Sequence, residues 1–205
     1  MSRMLTVTLD WSLLPALMYL PLDRFKGKDG FYYPYFGPGV YLFVYPSKAG
    51  YQVYYVGQSK EVGNRLGDHI STYMNSSSGY YLPKSVDLYN EDVYKYFKKN
   101  SYEEYFSNKP GDFIDKNYTE TGEHIMKNSY FGIAKLSQAD ESLLLEVEYI
   151  LQQNVLEFNE LPSLGWLGEK KSTKPTRDIE IINYFGNDIL RKIIGKTLPG
   201  KCSIR

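Results

Sequence analysis

The sequence predicts an α/β (α+β) domain, a small sheet flanked by helices, on three observations. Gly39 to Tyr45 and Tyr51 to Gly57 are β-branched and aromatic runs separated by the turn residues Pro46 to Gly50, the pattern of an antiparallel hairpin. Val62 to Tyr73 and the stretch from Asp140 to about Asn154 carry helical apolar spacing. A third strand-like run, Ser129 to Leu136, directly precedes the second of those helices.

Taken in order, the chain opens with an N-terminal extension, residues 1–38, in which Trp11 to Phe25 reads as a helix interrupted at Pro15 and Pro21. Gly37-Pro38-Gly39 reads as the turn into the first strand; it lacks the lysine and the following helix of a phosphate loop. With a five-residue hairpin loop, Tyr45 opposes Tyr51 and Tyr41 opposes Tyr55, so two phenols stand side by side on one face. In the helix that follows, Arg65 and His69 are four residues apart and project from the same side. Ser76 to Gly79 end that helix. A tyrosine-rich insertion then spans about 74–128, with a helix near Asp92 to Phe106.

Ser137-Gln138-Ala139-Asp140 has N-cap chemistry ahead of a helix whose apolar stripe is Leu143, Leu144, Val147, Ile150 and Leu151. Glu146 and Glu148 fall on opposite borders of that stripe, and periodicity leaves both open as functional carboxylates. Residues 161–205 read as a Gly/Pro/Lys-rich linker followed by a basic amphipathic helix marked by Ile179, Ile182, Phe185, Ile189, Leu190 and Ile193. That apolar face suits either dimerisation or ordinary core packing, with packing the favoured reading.

Composition bounds the function. The chain has 205 residues, room for one core with elaborations. No apolar run approaches the roughly 20 residues that span a bilayer, and no signal-peptide stretch opens the chain, so a soluble, cytoplasmic protein without a membrane partner is expected. Cys202 is the single cysteine, which excludes an intrachain disulfide or a cysteine-based zinc site. Net charge is zero, but from Lys170 onward nine basic residues face three acidic ones, leaving a basic tail on an acidic body. Such a tail either holds phosphates or is a solvated surface. Of the 21 tyrosines, most pack their rings by default, though stacking on bases is open to them. His124 has no metal-ligand partner at useful spacing.

Singly, a strand tyrosine, a helical arginine or a lone histidine carries no function. Their order does. Gly39-Val40-Tyr41, then Tyr55-Val56-Gly57, Arg65 eight residues on, His69 four beyond it, Leu145-Glu146 with Ile150, and Phe158-Asn159 together resemble the GIY-YIG nuclease family. The resemblance covers about Gly39 to His69 and Phe131 to Asn159. Both tripeptides carry valine in the middle, and Glu146 precedes Asn159 by thirteen residues, one more than is usual in the family. That spacing raises Glu148 as a rival; the leucine before Glu146 and the isoleucine four after it favour Glu146.

The resemblance implies a catalytic domain over residues 39–160 with a central three-stranded antiparallel sheet. It implies a Mg²⁺-dependent (alternatively Mn²⁺-dependent) DNA endonuclease without a small-molecule cofactor, closest in layout to the compact restriction enzymes. A phage, mobile-element or repair nuclease and a non-cleaving nucleic-acid-binding protein on the same fold are the alternatives. Two cuts from one centre per chain suggest a homodimer or successive events. The chemistry suits the residues. Glu146 would hold Mg²⁺, which keeps most of its waters, and Arg65 would offer planar donors to the phosphoryl oxygens. Tyr41, assisted by Tyr55, would activate water once a neighbouring cation such as Arg65 lowered its pKa. His69 would polarise Tyr41 or bind phosphate, and Asn159 would orient its neighbours.

Overall fold

The computed structural model describes residues 4–16, 37–47, 50–74, 126–158, 174–186, 188–194 and 200–204. The fold is mixed α+β. Its strands are β1 (Leu5–Pro15), β2 (Gly39–Ser47), β3 (Gly50–Ser59), β4 (Tyr130–Lys135), β5 (Ile179–Phe185) and β6 (Lys201–Ile204), and its described helices are α1 (Val62–Met74), α2 (Glu141–Phe158) and α3 (Asp188–Ile194). All six strands join one sheet in the order β3-β2-β4-β1-β5-β6.

The expectation of a three-stranded sheet is therefore corrected. β2, β3 and β4 are antiparallel to one another with β2 in the middle, but β1 adds antiparallel to β4, β5 parallel to β1, and β6 antiparallel to β5. β1 finds both its neighbours far along the chain, with Trp11 opposite Ala134 and Leu5 opposite Ile179. No local window contains those pairings.

Two helices expected from periodicity are corrected for the same reason. Trp11 to Pro15 belongs to β1, where Val7, Leu9 and Trp11 point into the core and Thr6, Thr8 and Asp10 point out. Pro15 ends the strand, a position that needs no ladder donor; residues 17–25 lie outside the described ones. Ile179 to Phe185 is β5, and only Asp188–Ile194 of the expected C-terminal helix is helical. Its inward residues are Ile179, Ile181 and Asn183. The polar Asn183 breaks the apolar alternation, and what makes it an interior residue is the Trp11 indole, whose N–H donates to Asn183 Oδ1 at 2.8 Å. Ile179, Ile181 and Leu190 are core residues, so this stretch packs inward.

The hairpin register is also corrected. Tyr41 faces Gly57, Phe43 faces Tyr55, a bulge follows Phe43, and pairing continues through Tyr45 opposite Gln52 to Ser47 opposite Gly50. The expected turn residues extend the strands, and the bulge shifts the register by one.

Side-chain alternation sorts the sheet into two faces. Val40, Leu42, Val44, Val53, Val56 and Ala134 point to one side, where they meet Val147, Ile150, Leu151 and Val155 of α2 and Leu190 of α3. Full burial of each such side chain stabilises the fold by roughly 1.5–3 kcal/mol. α2 touches β3, β2 and β6, and α3 touches β3, β1 and β5. Since β3 and β6 are the two edges, the sheet curls until both reach the same helix. α2 starts where expected: Asp140 Oδ1 accepts from the Leu143 backbone N–H at 2.8 Å, an N-cap bond.

The opposite face carries Tyr41, Phe43 and Phe131 and is met by α1. Gly37 turns the chain into β2 with φ of 92°, a left-handed conformation that glycine adopts without strain. Its carbonyl accepts from the Val62 N–H at 3.1 Å and its own N–H donates to Glu61 Oε2 at 3.1 Å. The start of β2 is thereby tied to the start of α1. Among the described residues, no helix is long and apolar enough to cross a membrane.

Candidate active site

Four of the six residues singled out in the sequence meet on the α1 face of the sheet. The rings of Tyr41 and Tyr55 lie stacked, 6.0 Å between centroids at 23°. They are diagonal rather than opposite, and Gly57 makes this possible. A Cβ at position 57 would sit 2.5 Å from both Cζ and the hydroxyl of Tyr41 and 2.7 Å from Tyr55 Cε1. The Tyr41 ring therefore lies across the backbone of β3, over a position that has no side chain. His69 comes down from α1, with Nε2 3.0 Å from Tyr41 Oη. In the tautomer that leaves Nε2 bare, the Tyr41 hydroxyl donates to it. Arg65, one turn before His69, keeps a half-exposed guanidinium that acts electrostatically on Tyr41, Tyr55 and His69.

The electrostatics of this cluster favour neutral groups around one fixed cation. Burial, and after it the neighbouring Tyr55, push the Tyr41 hydroxyl well above the ordinary phenol value; Arg65 pulls the other way without overcoming them. Burial and then the Arg65 charge lower His69 from 6.5 to about 4. Burial works against the charge on Arg65, but Tyr41 and Tyr55 outweigh it and its pKa is raised. At neutral pH the cluster is thus a protonated phenol, a neutral imidazole and a charged guanidinium. Of the two cations expected to bring Tyr41 down to a useful basicity, Arg65 or the metal, Arg65 does not suffice: desolvation is the larger effect.

Glu146 lies elsewhere. It is 1% exposed, on α2, which packs on the other face of the sheet. Oε1 accepts from the Thr176 backbone N–H at 3.1 Å and the Thr176 hydroxyl at 3.2 Å, and Oε2 accepts from Arg177 Nε at 3.0 Å and Nη2 at 2.8 Å. Burial works against its charge, but the Thr176 N–H and the Arg177 guanidinium outweigh that and hold its pKa below the usual carboxylate value. In this arrangement the carboxylate does not fit a Mg²⁺ ligand, because both oxygens are filled and a guanidinium already neutralises the charge. Among the described residues no three His, Cys, Asp or Glu side chains gather as a metal-binding group.

Glu148 is also buried. Two positions from Glu146 on a helix, it occupies the opposite flank. Gln152, one turn further along that flank, donates to the Val56 carbonyl at 3.5 Å, so this side of α2 faces β3 while the Glu146 side faces the segment leading into β5. Asn159 and His124 lie outside the described residues.

The sequence reading missed Phe43, Thr176 and Arg177. Phe43 follows Tyr41 on the same strand face, a signal the i, i+2 rule supplies. Nothing local links residues 176 and 177 to residue 146. Compared with protein-family models, with curated proteins and with solved structures, the chain finds no match.

Proposed function

We propose that the protein is a DNA endonuclease of the GIY-YIG type that hydrolyses phosphodiester bonds with Mg²⁺, cutting both strands at specific sites. The observation that carries this reading is the convergence of Tyr41, Tyr55, Arg65 and His69, four residues whose order in the sequence suggested the family, on one face of the β2–β3 hairpin. A half-exposed guanidinium beside a neutral phenol–imidazole pair suits an anionic ester.

Water oxygen forms a bond to phosphorus as the bond from phosphorus to the leaving sugar oxygen breaks. The water proton passes to Tyr41 Oη while the proton of Tyr41 passes to His69 Nε2, so no tyrosinate accumulates and the raised phenol pKa is no obstacle. The leaving oxygen takes its proton from solvent, His69 Nε2 releases the proton it received to solvent, which its low pKa favours, and Arg65 meets the growing charge on the phosphoryl oxygens. A bound Mg²⁺ would supply Lewis-acid stabilisation of phosphate charge. The carboxylate the sequence favours for that ion is instead filled by Thr176 and Arg177. Two strands cut by one centre per chain call for a homodimer or two successive events.

A second reading, a DNA-binding protein on the same fold that does not cut, is favoured by that same Glu146–Arg177 pair. Incubation with plasmid DNA and Mg²⁺ separates the readings. Discrete fragments are expected; smearing would point instead to a repair or mobile-element nuclease of loose specificity. Retarded but intact DNA at every Mg²⁺ concentration would sink the endonuclease reading in favour of the binding protein.

A further inference from the structure

The proton-transfer pair described above rests on a ring that the sequence reading did not single out. Phe43 is fully buried at the middle of a cross-strand row, with Tyr55 opposite it on β3 and Phe131 opposite it on β4. Its centroid lies 4.8 Å from that of Phe131, 5.3 Å from Tyr55 and 5.9 Å from Tyr41. The His69 imidazole meets it at 5.0 Å and 81°, nearly perpendicular. Tyr55 and Tyr41 stand around the same imidazole at 5.1 Å and 5.7 Å, inclined by 64° and 61°.

Three rings therefore enclose His69. Tyr41 is the one to which Nε2 is hydrogen-bonded, and Tyr55 stacks on Tyr41. Phe43 has no polar atom to contribute. What it fixes is the depth and tilt of the imidazole, because perpendicular aromatic contacts at this separation are directional and the close-packed row beneath leaves no alternative seat.

We infer that Phe43 is a positioning residue, the floor that holds the His69 imidazole in line with the Tyr41 hydroxyl and covers its inner face. The inference deepens the proposed nuclease reading, yet its main consequence concerns the free protein. The groups that act on His69 are Tyr41 from β2, Tyr55 from β3 and the Arg65 charge from α1, with the Asp68 carboxylate 3.9 Å from Arg65 on the same helix. A smaller side chain at position 43 leaves all of these in place while admitting water beneath the ring and freeing its tilt.

The test is the proton titration of His69 followed by NMR. The protein has only two histidines, so a His124→Gln background leaves a single imidazole signal. In that background His69 is expected to titrate near 4. Phe43→Leu is expected to raise it by a pH unit or more, and to lower kcat for DNA cleavage at least tenfold with KM unchanged. Leu42→Ala, from the neighbouring residue on the other face of the same strand, serves as the control. It should lower the melting temperature comparably while leaving the His69 titration where it was. If Phe43→Leu does not fold, Phe43→Met replaces the ring with a more adaptable unbranched side chain, with the same expectation.

An unchanged His69 titration in the folded Phe43 variant overturns the inference, as does an equal shift in Leu42→Ala. Should the parent protein fail to cut DNA, the nuclease reading fails on that result alone, while the titration still decides the role of Phe43.

Discussion

Two polar clusters sit on opposite faces of one sheet, and they handle charge in opposite ways. At Glu146 every acceptor is satisfied: a buried carboxylate meets two donors from Thr176 and two from Arg177, and its pKa moves so as to keep the charge. At Tyr41 and His69 burial moves both pKa values away from the charged forms, and the nearby cation is left half-exposed. A closed network of fixed charge holds two segments together. A phenol and an imidazole kept neutral at hydrogen-bond distance can exchange a proton. The residue that the family resemblance made the metal ligand behaves as a joint, whereas tyrosines that composition made ordinary packing aromatics gather with His69 and Arg65 in the arrangement proposed as the site.

The largest effect expected from that contrast is on stability. Arg177→Ala leaves the Glu146 carboxylate buried with only Thr176 as partner, an uncompensated buried charge that costs about 3–5 kcal/mol. Glu146→Gln leaves an arginine that is 44% exposed and can turn to water, so the loss should be nearer 1–2 kcal/mol. Urea melts of both variants, with the double mutant closing the cycle, measure the asymmetry. Equal losses would mean that the pair is not the joint described. The same variants locate the ion: if Glu146→Gln retains cleavage with its Mg²⁺ dependence intact while Glu148→Gln abolishes it, Glu148 on the β3 flank is the ligand.

On the other face the expected loss is in activity. Arg65→Ala should cut cleavage by about 10²–10³-fold, the usual cost of removing one donor to a developing oxyanion. Its effect on stability should stay within about 0.5 kcal/mol, since the side chain is half-exposed and its contact with Asp68, at 3.9 Å, is long. A next smaller effect is expected at Gly57. A methyl group there meets the Tyr41 ring at 2.5 Å, so Gly57→Ala should cost about 1–3 kcal/mol and displace the phenol from His69. Loss of the Tyr41–His69 contact in the variant's crystal structure would verify the mechanism of that cost.

How much of this was legible in sequence follows from which distances the chain spans locally. The β2–β3 hairpin, α1 with Arg65 and His69, and the Asp140 cap lie within windows of a few tens of residues, and periodicity found them. β1 and β5 did not yield to the same reasoning. In β5 the apolar positions 179, 182 and 185 fit a helix as well as Ile179, Ile181 and Asn183 fit a strand, until the indole of Trp11, 172 residues away, supplies the reason for a buried asparagine. The site divides likewise. Tyr41, Tyr55, Arg65 and His69 were found by order and spacing, while the occupation of Glu146 depends on Arg177, 31 residues on and across a linker. Motif order identifies a residue type at a position; it does not reveal which other side chain has already claimed it.

The pH dependence of stability carries both clusters in one curve. His69 has a folded-state pKa of about 4 against 6.5 unfolded, so between those values the unfolded chain binds the extra proton. Stability should therefore rise with pH through that window and be lost on acidification, with a slope approaching about 1.4 kcal/mol per pH unit at most. Glu146, whose folded pKa is lowered, adds its own loss below the ordinary carboxylate range. Tyr41 acts at the other end: its folded pKa is raised, so its contribution is lost as pH climbs above 10. Urea midpoints across pH should show the upper acid limb vanish in His69→Gln and persist in Glu146→Gln.

The smallest effect concerns the one described ion pair that joins the two helices bearing these clusters. Lys60, just before α1, donates to Glu141 Oε2 at the start of α2 at 2.8 Å, with the two side chains 67% and 65% exposed. Exposed pairs of this kind contribute about 0.2–1 kcal/mol, so Lys60→Ala should barely move the urea midpoint and should leave cleavage and the His69 titration untouched. The informative measurement is the combination with Arg177→Ala. If the clusters are independent, the two losses add within about 0.5 kcal/mol. A larger departure would mean that the joint at Glu146 is felt at α1 through this pair, and the division of the molecule into a closed charged network and an open neutral one would have to be redrawn.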